Sequence, residues 1–136
     1  MITLKELIKD IPISDIPIAH QHNLEELLVK INKVRIAYGK SMTVTSGYRS
    51  MYDHKRIYNA KGIFDEKKIP MKSKHLEGLA IDIADPSGDL YNWCKNNENF
   101  LREVGIWLET RQGKWQHFQI RQFGSYKEGK TIWFNP

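Results

Sequence analysis

Residues 73–84 read SKHLEGLAIDIA, and residues 115–120 read WQHFQI. Residues 79–84 and 115–120 each alternate apolar with other side chains, which predicts two short β-strands whose neighbouring side chains face opposite ways. Asp82 then lies on the face opposite to Ile81 and Ile83, and His117 lies with Trp115 and Gln119 on the face opposite to Phe118. Each predicted strand therefore has one apolar face for a core and a metal-ligating type of side chain on the other.

A zinc site is one reading of these two strands taken together with His75, which precedes the first of them. Two imidazoles and a carboxylate are a plausible ligand set for catalytic zinc, which keeps a further position open for water. An aspartate inside an apolar strand is also costly to bury unless a cation or a donor neutralises it. The residues alone leave the alternative open that Asp82, His75 and His117 are solvated or hydrogen-bonded structural side chains.

Three motifs follow one another in the order of a known family: SGYRS at residues 46–50, S-x-H-x-x-G-x-A-x-D-I at residues 73–83, and W-x-H-F-Q at residues 115–119. In this order the chain resembles the zinc D-Ala-D-Ala carboxypeptidases and the phage L-alanyl-D-glutamate endopeptidases. These enzymes share the hedgehog/DD-peptidase fold. The resemblance implies an α+β fold in which helices flank a small antiparallel sheet.

The same resemblance implies roles for individual residues. Zinc would be bound by His75, Asp82 and His117, Arg49 would hold a substrate carboxylate or carbonyl during catalysis, and Ser73 would lie close to the substrate. The implied activity is zinc-dependent hydrolysis of peptide bonds in the stem peptides of bacterial peptidoglycan. Both a carboxypeptidase and an endolysin-type endopeptidase that degrades the cell wall fit this description.

One position departs from the family pattern. Lys114 stands where many members have the catalytic glutamate, and the nearest upstream acid is Glu109. If residues 106–109 and 115–120 form a hairpin, pairing Glu109 with Trp115 places Glu109 on the face of His117. Glu109 is therefore the candidate general base, with Glu77 as the second candidate. If neither serves, the alternative is a catalytically silent metal-binding domain, such as a phage particle component or a cell-wall-binding domain.

The bulk properties fit one small domain over residues 1–136, which we expect to be a monomer. The net charge of +5 favours anionic partners. The lysines are scattered, however, and no nucleic-acid-binding motif accompanies them, so we expect a solvated surface and no specific nucleic-acid partner. The lone Cys94 cannot form an internal disulfide, which is typical of a reducing compartment.

No membrane segment or targeting segment is expected. No apolar run reaches the length of a membrane span, and residues 1–10 lack the apolar core of a signal peptide. We therefore expect synthesis in the cytoplasm, action on the cell wall after another route of release such as lysis, and a phage or prophage gene.

The pattern also predicts individual elements outside the strands. Apolar residues at helical spacing predict a helix from an Asn23 cap to a Gly39 stop, and two prolines predict an extended loop over residues 11–21. Ser50 is expected to cap a helix that carries His54, which we interpret as structural or solvated. Residues 62–72 are expected to form a loop over the site, and Trp133 and Phe134 to pack back onto the body.

Overall fold

The computed structural model describes residues 1–70, 73–121 and 131–135. Within these ranges the architecture is α+β, with five α-helices and one five-stranded sheet. The helices are α1 (Leu4–Ile8), α2 (Ile18–Tyr38), α3 (Met51–Ala60), α4 (Asp89–Asn96) and α5 (Glu98–Val104). The strands are β1 (Val44–Ser46), β2 (Ala80–Ala84), β3 (Trp107–Glu109), β4 (Trp115–Gln119) and β5 (Trp133–Phe134). Single 3₁₀ turns lie at Ile13–Asp15, Glu66–Lys68 and Lys74–Glu77.

The sheet has the strand order β1-β2-β4-β3-β5 and is mixed. The predicted antiparallel pairing is found for β1 with β2, β2 with β4 and β3 with β4, but β5 pairs parallel to β3. Trp133 at the start of β5 pairs with Leu108, whose partner on β4 is Phe118 near the end of that strand, so β5 starts at the sheet end where β4 finishes and runs opposite to β4. Because β3 is also antiparallel to β4, β5 and β3 run in the same direction.

The core lies between the apolar face of the central strands and the long helix α2. Buried side chains of β2 and β4 join buried side chains of α2 in one cluster, which includes Ile81, Ile83, Phe118, Leu24, Leu27 and Ile31. The alternation in the sequence predicted this face correctly, since Ile81, Ile83 and Phe118 are fully buried. Truncating such a side chain to alanine typically costs about 2–5 kcal/mol of stability.

Helix α2 begins earlier than predicted. It starts at Ile18, so residues 11–21 are not one extended loop, although a 3₁₀ turn at Ile13–Asp15 comes first. Pro17 occupies the N-cap, where its missing N–H is not needed, and its carbonyl accepts hydrogen bonds from the amides of His20 and Gln21. The predicted end is confirmed, because Gly39 closes the helix in the left-handed conformation at φ 75°.

The hairpin between β3 and β4 is fastened to the turn after β2. The Arg111 guanidinium donates to the Gly113 carbonyl at 2.8 Å and to the Asp85 carbonyl at 2.7 Å. The Asp85 carboxylate, in turn, accepts from the amides of Leu90 and Tyr91 in the first turn of α4. These contacts hold the hairpin loop next to the end of β2, and thereby position the end of β3 in the sheet.

The tail prediction is confirmed in the part that the structure describes, where Trp133 and Phe134 form a half-buried strand; residues 122–130 lie outside the described ranges. Of the helices in those ranges, none combines the length and the apolar character that spanning a bilayer requires.

Candidate metal centre

The structure brings His75, Asp82 and His117 together on the face of the sheet opposite the α2 core. Asp82 on β2 lies directly across from His117 on β4, and His75 comes from the 3₁₀ turn that leads into β2. Each residue offers one ligand atom, and these atoms lie within 4.8 Å of one another. All three side chains are buried, with residue exposures of 4%, 8% and 9%.

Hydrogen bonds behind the two imidazoles determine which nitrogen of each ring faces Asp82. His75 Nδ1 lies 2.8 Å from the Gly47 carbonyl, which can only accept, so Nδ1 carries the hydrogen and Nε2 faces Asp82 Oδ2 at 3.2 Å. His117 Nε2 lies 2.9 Å from Gln119 Oε1, and its Nδ1 faces Asp82 Oδ1 at 2.8 Å. The Gln119 amide nitrogen donates to the Arg121 carbonyl, which orients its oxygen toward His117.

This arrangement fits a zinc ion. Once the outer nitrogens donate to Gly47 and Gln119, His75 Nε2, His117 Nδ1 and an Asp82 oxygen converge as three acceptors. Three lone pairs cannot satisfy one another, whereas a cation between them is bound by all three. Two imidazole nitrogens and one carboxylate oxygen are a ligand set that zinc prefers, and such outer hydrogen bonds are typical of zinc-bound histidines.

The protonation of the three side chains agrees with this picture. Burial alone would raise the pKa of Asp82, but the hydrogen bond from His117 outweighs burial and holds the pKa well below its usual range. Burial lowers the pKa of His75, which keeps this ring neutral. Burial also opposes the charged form of His117, but the hydrogen bond with Asp82 raises the pKa of that ring. In the metal-free protein a proton on His117 therefore neutralises Asp82, and it must leave when a cation binds.

Gly47 is required for the position of its carbonyl behind His75. A Cβ atom at Gly47 would lie 2.5 Å from the Leu7 carbonyl oxygen of α1. The neighbouring Tyr48 amide donates to that same oxygen at 2.9 Å. The SGYR segment thus passes close to α1 and presents its backbone to His75.

Glu109 ends β3 on the same face as His117, but the hairpin register differs from the prediction. Trp107 pairs with Gln119 and Leu108 with Phe118, so the pairing of Glu109 with Trp115 is wrong by two residues. A shift of two conserves the face, because side chains alternate with a period of two. Continuing the observed register places Glu109 opposite His117. Burial raises the pKa of Glu109, as expected for a carboxyl group held inside a cavity.

Neither Lys114, at the usual position of the family's glutamate, nor the second candidate Glu77 is held in the ligand group. Lys114 is exposed in the hairpin, where its carbonyl accepts from the Asp85 amide at 2.7 Å. Glu77 Oε2 lies 3.3 Å from Lys74 Nζ, and its side chain is 47% exposed. Among the acids considered, Glu109 therefore remains the candidate for a general base.

Arg49 lies between β1 and α3. Its amide donates to the His75 carbonyl at 3.1 Å, and the next residue, Ser50, caps α3 as predicted by accepting from the Asp53 amide. The guanidinium donates through Nε to Ser46 Oγ at 3.0 Å, and Nη2 lies 3.8 Å from Asp82 Oδ2. The backbone thus places Arg49 next to the ligand group.

A cavity of about 480 Å³ contains the whole constellation. The predicted residues Arg49, Ser73 and Glu109 line it together with the three ligands. Pro70 also lines it, in agreement with the predicted loop over the site, while residues 71–72 lie outside the described ranges. Further lining residues that the sequence reading had not placed in the site are Tyr58, Lys61, Lys74, Gln112, Trp115, Gln119 and Phe134. The alternation had put Trp115 and Gln119 on the correct face, but no signal linked Phe134 to the site.

The comparisons with known proteins agree with this geometry. A sequence model of the family described as Peptidase M15 matches residues 1–118. No curated protein matches the chain. No solved structure matches it either. The family match covers most of the chain, and it includes every residue of the ligand group together with Arg49, Ser73 and Glu109. The chain therefore belongs to the M15 peptidases, a family of zinc-dependent metallopeptidases, with His75, Asp82 and His117 as the group that could bind the metal ion.

Proposed function

We propose that this metallopeptidase hydrolyses peptide bonds in the stem peptides of bacterial peptidoglycan. The observation that carries the proposal is the juxtaposition of the ligand group, Glu109 and Arg49 in one cavity. Lys61 and Lys74 add two further positive side chains to the cavity wall. Such a cavity favours a peptide with free carboxylates, as stem peptides have, over a neutral or a basic peptide.

The residues of the chain divide the work of hydrolysis. Bound zinc supplies Lewis-acid catalysis, in which a carbonyl is polarised and water becomes more acidic. Glu109 accepts the proton of the attacking water and passes it to the leaving amine. Its raised pKa suits the first step, because a carboxylate with a higher pKa accepts a proton more readily than it would in water.

Arg49 binds the substrate and takes no part in proton transfer. Its planar guanidinium offers paired donors to a substrate carboxylate or to the oxyanion that develops on the scissile carbonyl. Ser73 lines the same cavity and supplies a hydroxyl close to the substrate. Binding and chemistry are thus assigned to different side chains, which can be varied one at a time.

The alternative is a metal-binding domain without activity, and Lys114 in place of the usual acid is the observation that favours it. Glu109 argues against it. Burying this carboxyl group beside the ligand group costs stability, and carboxyl groups with a perturbed pKa cluster at functional sites. A silent domain would bind zinc as tightly as an enzyme would, so only turnover separates the two functions.

Purified peptidoglycan provides the test. The zinc-loaded protein, the chelator-treated protein and the Asp82→Ala variant are incubated with it, and the released peptides are identified by mass spectrometry. We expect peptides only from the zinc-loaded parent, and their masses will identify the cleaved bond as L-Ala–D-Glu, D-Ala–D-Ala or a cross-bridge. Zinc binding without any peptide release would favour the silent domain.

We propose that the protein is synthesised in the cytoplasm, acts on the cell wall as a monomer and is encoded by a phage or prophage. Sedimentation of the purified protein tests the monomer, and addition of the protein to intact and to permeabilised cells tests whether it needs a route to the wall.

A further inference from the structure

His54 is a buried side chain that the chemistry above does not use. It lies in the first turns of α3, where its amide donates to the Ser50 carbonyl, and its side chain is fully buried. Its Nε2 lies 2.7 Å from the Pro70 carbonyl, and its Nδ1 lies 3.4 Å from Arg49 Nη1. The ring therefore bridges Arg49 and a second residue of the cavity wall, and the solvated alternative is wrong.

The two neighbours of the ring allow only one tautomer. The Pro70 carbonyl can only accept, so His54 Nε2 carries the hydrogen. A guanidinium can only donate, so His54 Nδ1 must be the acceptor that faces Arg49. Burial lowers the pKa of His54, and the nearby positive charge of Arg49 acts in the same direction, so the ring stays neutral.

These contacts orient the guanidinium of Arg49. Nε donates to Ser46 Oγ, Nη1 faces His54 Nδ1, and Nη2 faces Asp82 Oδ2. A partner at each of the three nitrogens fixes the plane of the group. Since a guanidinium has five N–H donors, these three contacts leave donors for a ligand in the cavity.

We propose that His54 is a positioning residue that holds the Arg49 guanidinium in the orientation that binds substrate, and that joins it to the cavity wall at Pro70. The proposal rests on the substrate-binding role given to Arg49 above. The polar side-chain contacts of His54 are made with Arg49 and Pro70, so it acts through Arg49. A histidine with a purely structural role would need only the hydrogen bond to the Pro70 carbonyl.

Two substitutions separate these roles, because glutamine and asparagine each conserve one end of the ring. The amide nitrogen of His54→Gln reaches the position of Nε2 and can still donate to Pro70. The amide oxygen of His54→Asn lies near the position of Nδ1 and can still accept from Arg49. If His54 positions Arg49, His54→Gln lowers kcat/KM on peptidoglycan peptides about tenfold with zinc content and Tm near the parent values. His54→Asn then conserves kcat/KM within about threefold but lowers Tm, because it leaves the Pro70 carbonyl unpaired.

A double-variant cycle and an NMR measurement complete the test. In an Arg49→Lys background, His54→Gln should cost little further activity, because the contact is already lost. In ¹⁵N spectra of the zinc-loaded parent, His54 should show the Nε2–H tautomer, and His54→Gln should change the Arg49 guanidinium signals more than His54→Asn does.

The inference is overturned if His54→Gln retains the parent kcat/KM, if its effect adds fully to that of Arg49→Lys, or if the Arg49 signals do not respond. If the parent releases no peptide at all, the peptidoglycan proposal fails, while the tautomer and the Arg49 signals still decide whether His54 orients Arg49.

Discussion

The two walls of the cavity are built in different ways. On one wall, Asp82 and His117 face each other across two central strands, so the backbone ladder itself sets their separation. On the other wall, Arg49 follows a three-residue strand at the sheet edge, and contacts with Ser46 and His54 orient it. The ligand wall thus depends on sheet register, and the Arg49 wall on side-chain hydrogen bonds. Substitutions of the ligands should abolish metal binding, and those on the Arg49 wall should reduce turnover while metal is retained.

Asp82→Ala should have the largest effect. It removes one ligand and the charge that both histidines face, so we expect loss of stoichiometric zinc and of all peptide release. Bound metal also stabilises the native state, by about 4 kcal/mol when free zinc is about a thousandfold above Kd, so the zinc-dependent rise in Tm should disappear. Metal analysis and thermal melts with and without zinc measure both effects. Asp82→Asn, which conserves the shape, should lose zinc as well; stoichiometric zinc in either variant or in a His75→Ala/His117→Ala double variant would show that the ligands are others.

Glu109→Gln should give the second largest effect, although Glu109 belongs to the ligand side of the cavity. The substitution conserves shape and removes only the ability to accept a proton, so we expect kcat to fall by about 10²-fold or more with zinc content and Tm nearly unchanged. Glu77→Gln is the matched control, since Glu77 pairs with Lys74 outside the ligand group. Digestion of cell wall by Glu109→Gln at the parent rate would eliminate Glu109 as the general base.

Gln119→Met tests whether the hydrogen bond from Gln119 to His117 contributes to zinc affinity. Methionine conserves the volume but gives His117 Nε2–H no acceptor, and loss of such a partner typically costs about 10–100-fold in metal affinity. Gln119→Glu keeps an acceptor and should bind zinc at least as tightly as the parent. Competition with a chelator of known affinity measures both variants. Equal affinity in Gln119→Met and the parent would mean that the strands alone orient His117.

Arg49→Lys should affect the Arg49 wall and leave the ligand wall intact. Lysine keeps the charge but lacks the planar pair of donors, so we expect kcat/KM to fall by about tenfold, a loss of about 1.4 kcal/mol of transition-state stabilisation. Zinc content and Tm should remain near the parent values. Steady-state kinetics on a purified stem peptide make the measurement, and unchanged turnover would assign Arg49 to structure.

The difference between the walls also explains how much the sequence predicted. Alternation placed Asp82 and His117 on one face and their apolar neighbours in the core, because strand periodicity is a local property. The face of Glu109 was predicted for the same reason, but its register was not, since register depends on how the hairpin closes around Arg111. The partnership of His54 with Pro70 joins residues separated along the chain through a side chain, and no periodic pattern encodes it. The start of α2 at Ile18 was missed because a proline can begin a helix as well as end one.

The pH dependence of turnover should show the smallest effect, and it distinguishes Glu109 from the ligands. A general base must be deprotonated, so kcat should fall as the pH falls through the pKa of Glu109. Burial raises that pKa in the metal-free protein, and the positive charge of bound zinc acts in the opposite direction, so the position of the acid limb shows which of the two prevails. Zinc is also lost in acid as the histidines take up protons, so zinc content is measured at every pH and only the range of full occupancy is used. Within that range the acid limb should be absent from the residual activity of Glu109→Gln and retained in Arg49→Lys. An acid limb that coincides with zinc loss in the parent would place the titration on the ligand group and remove the pH argument for Glu109.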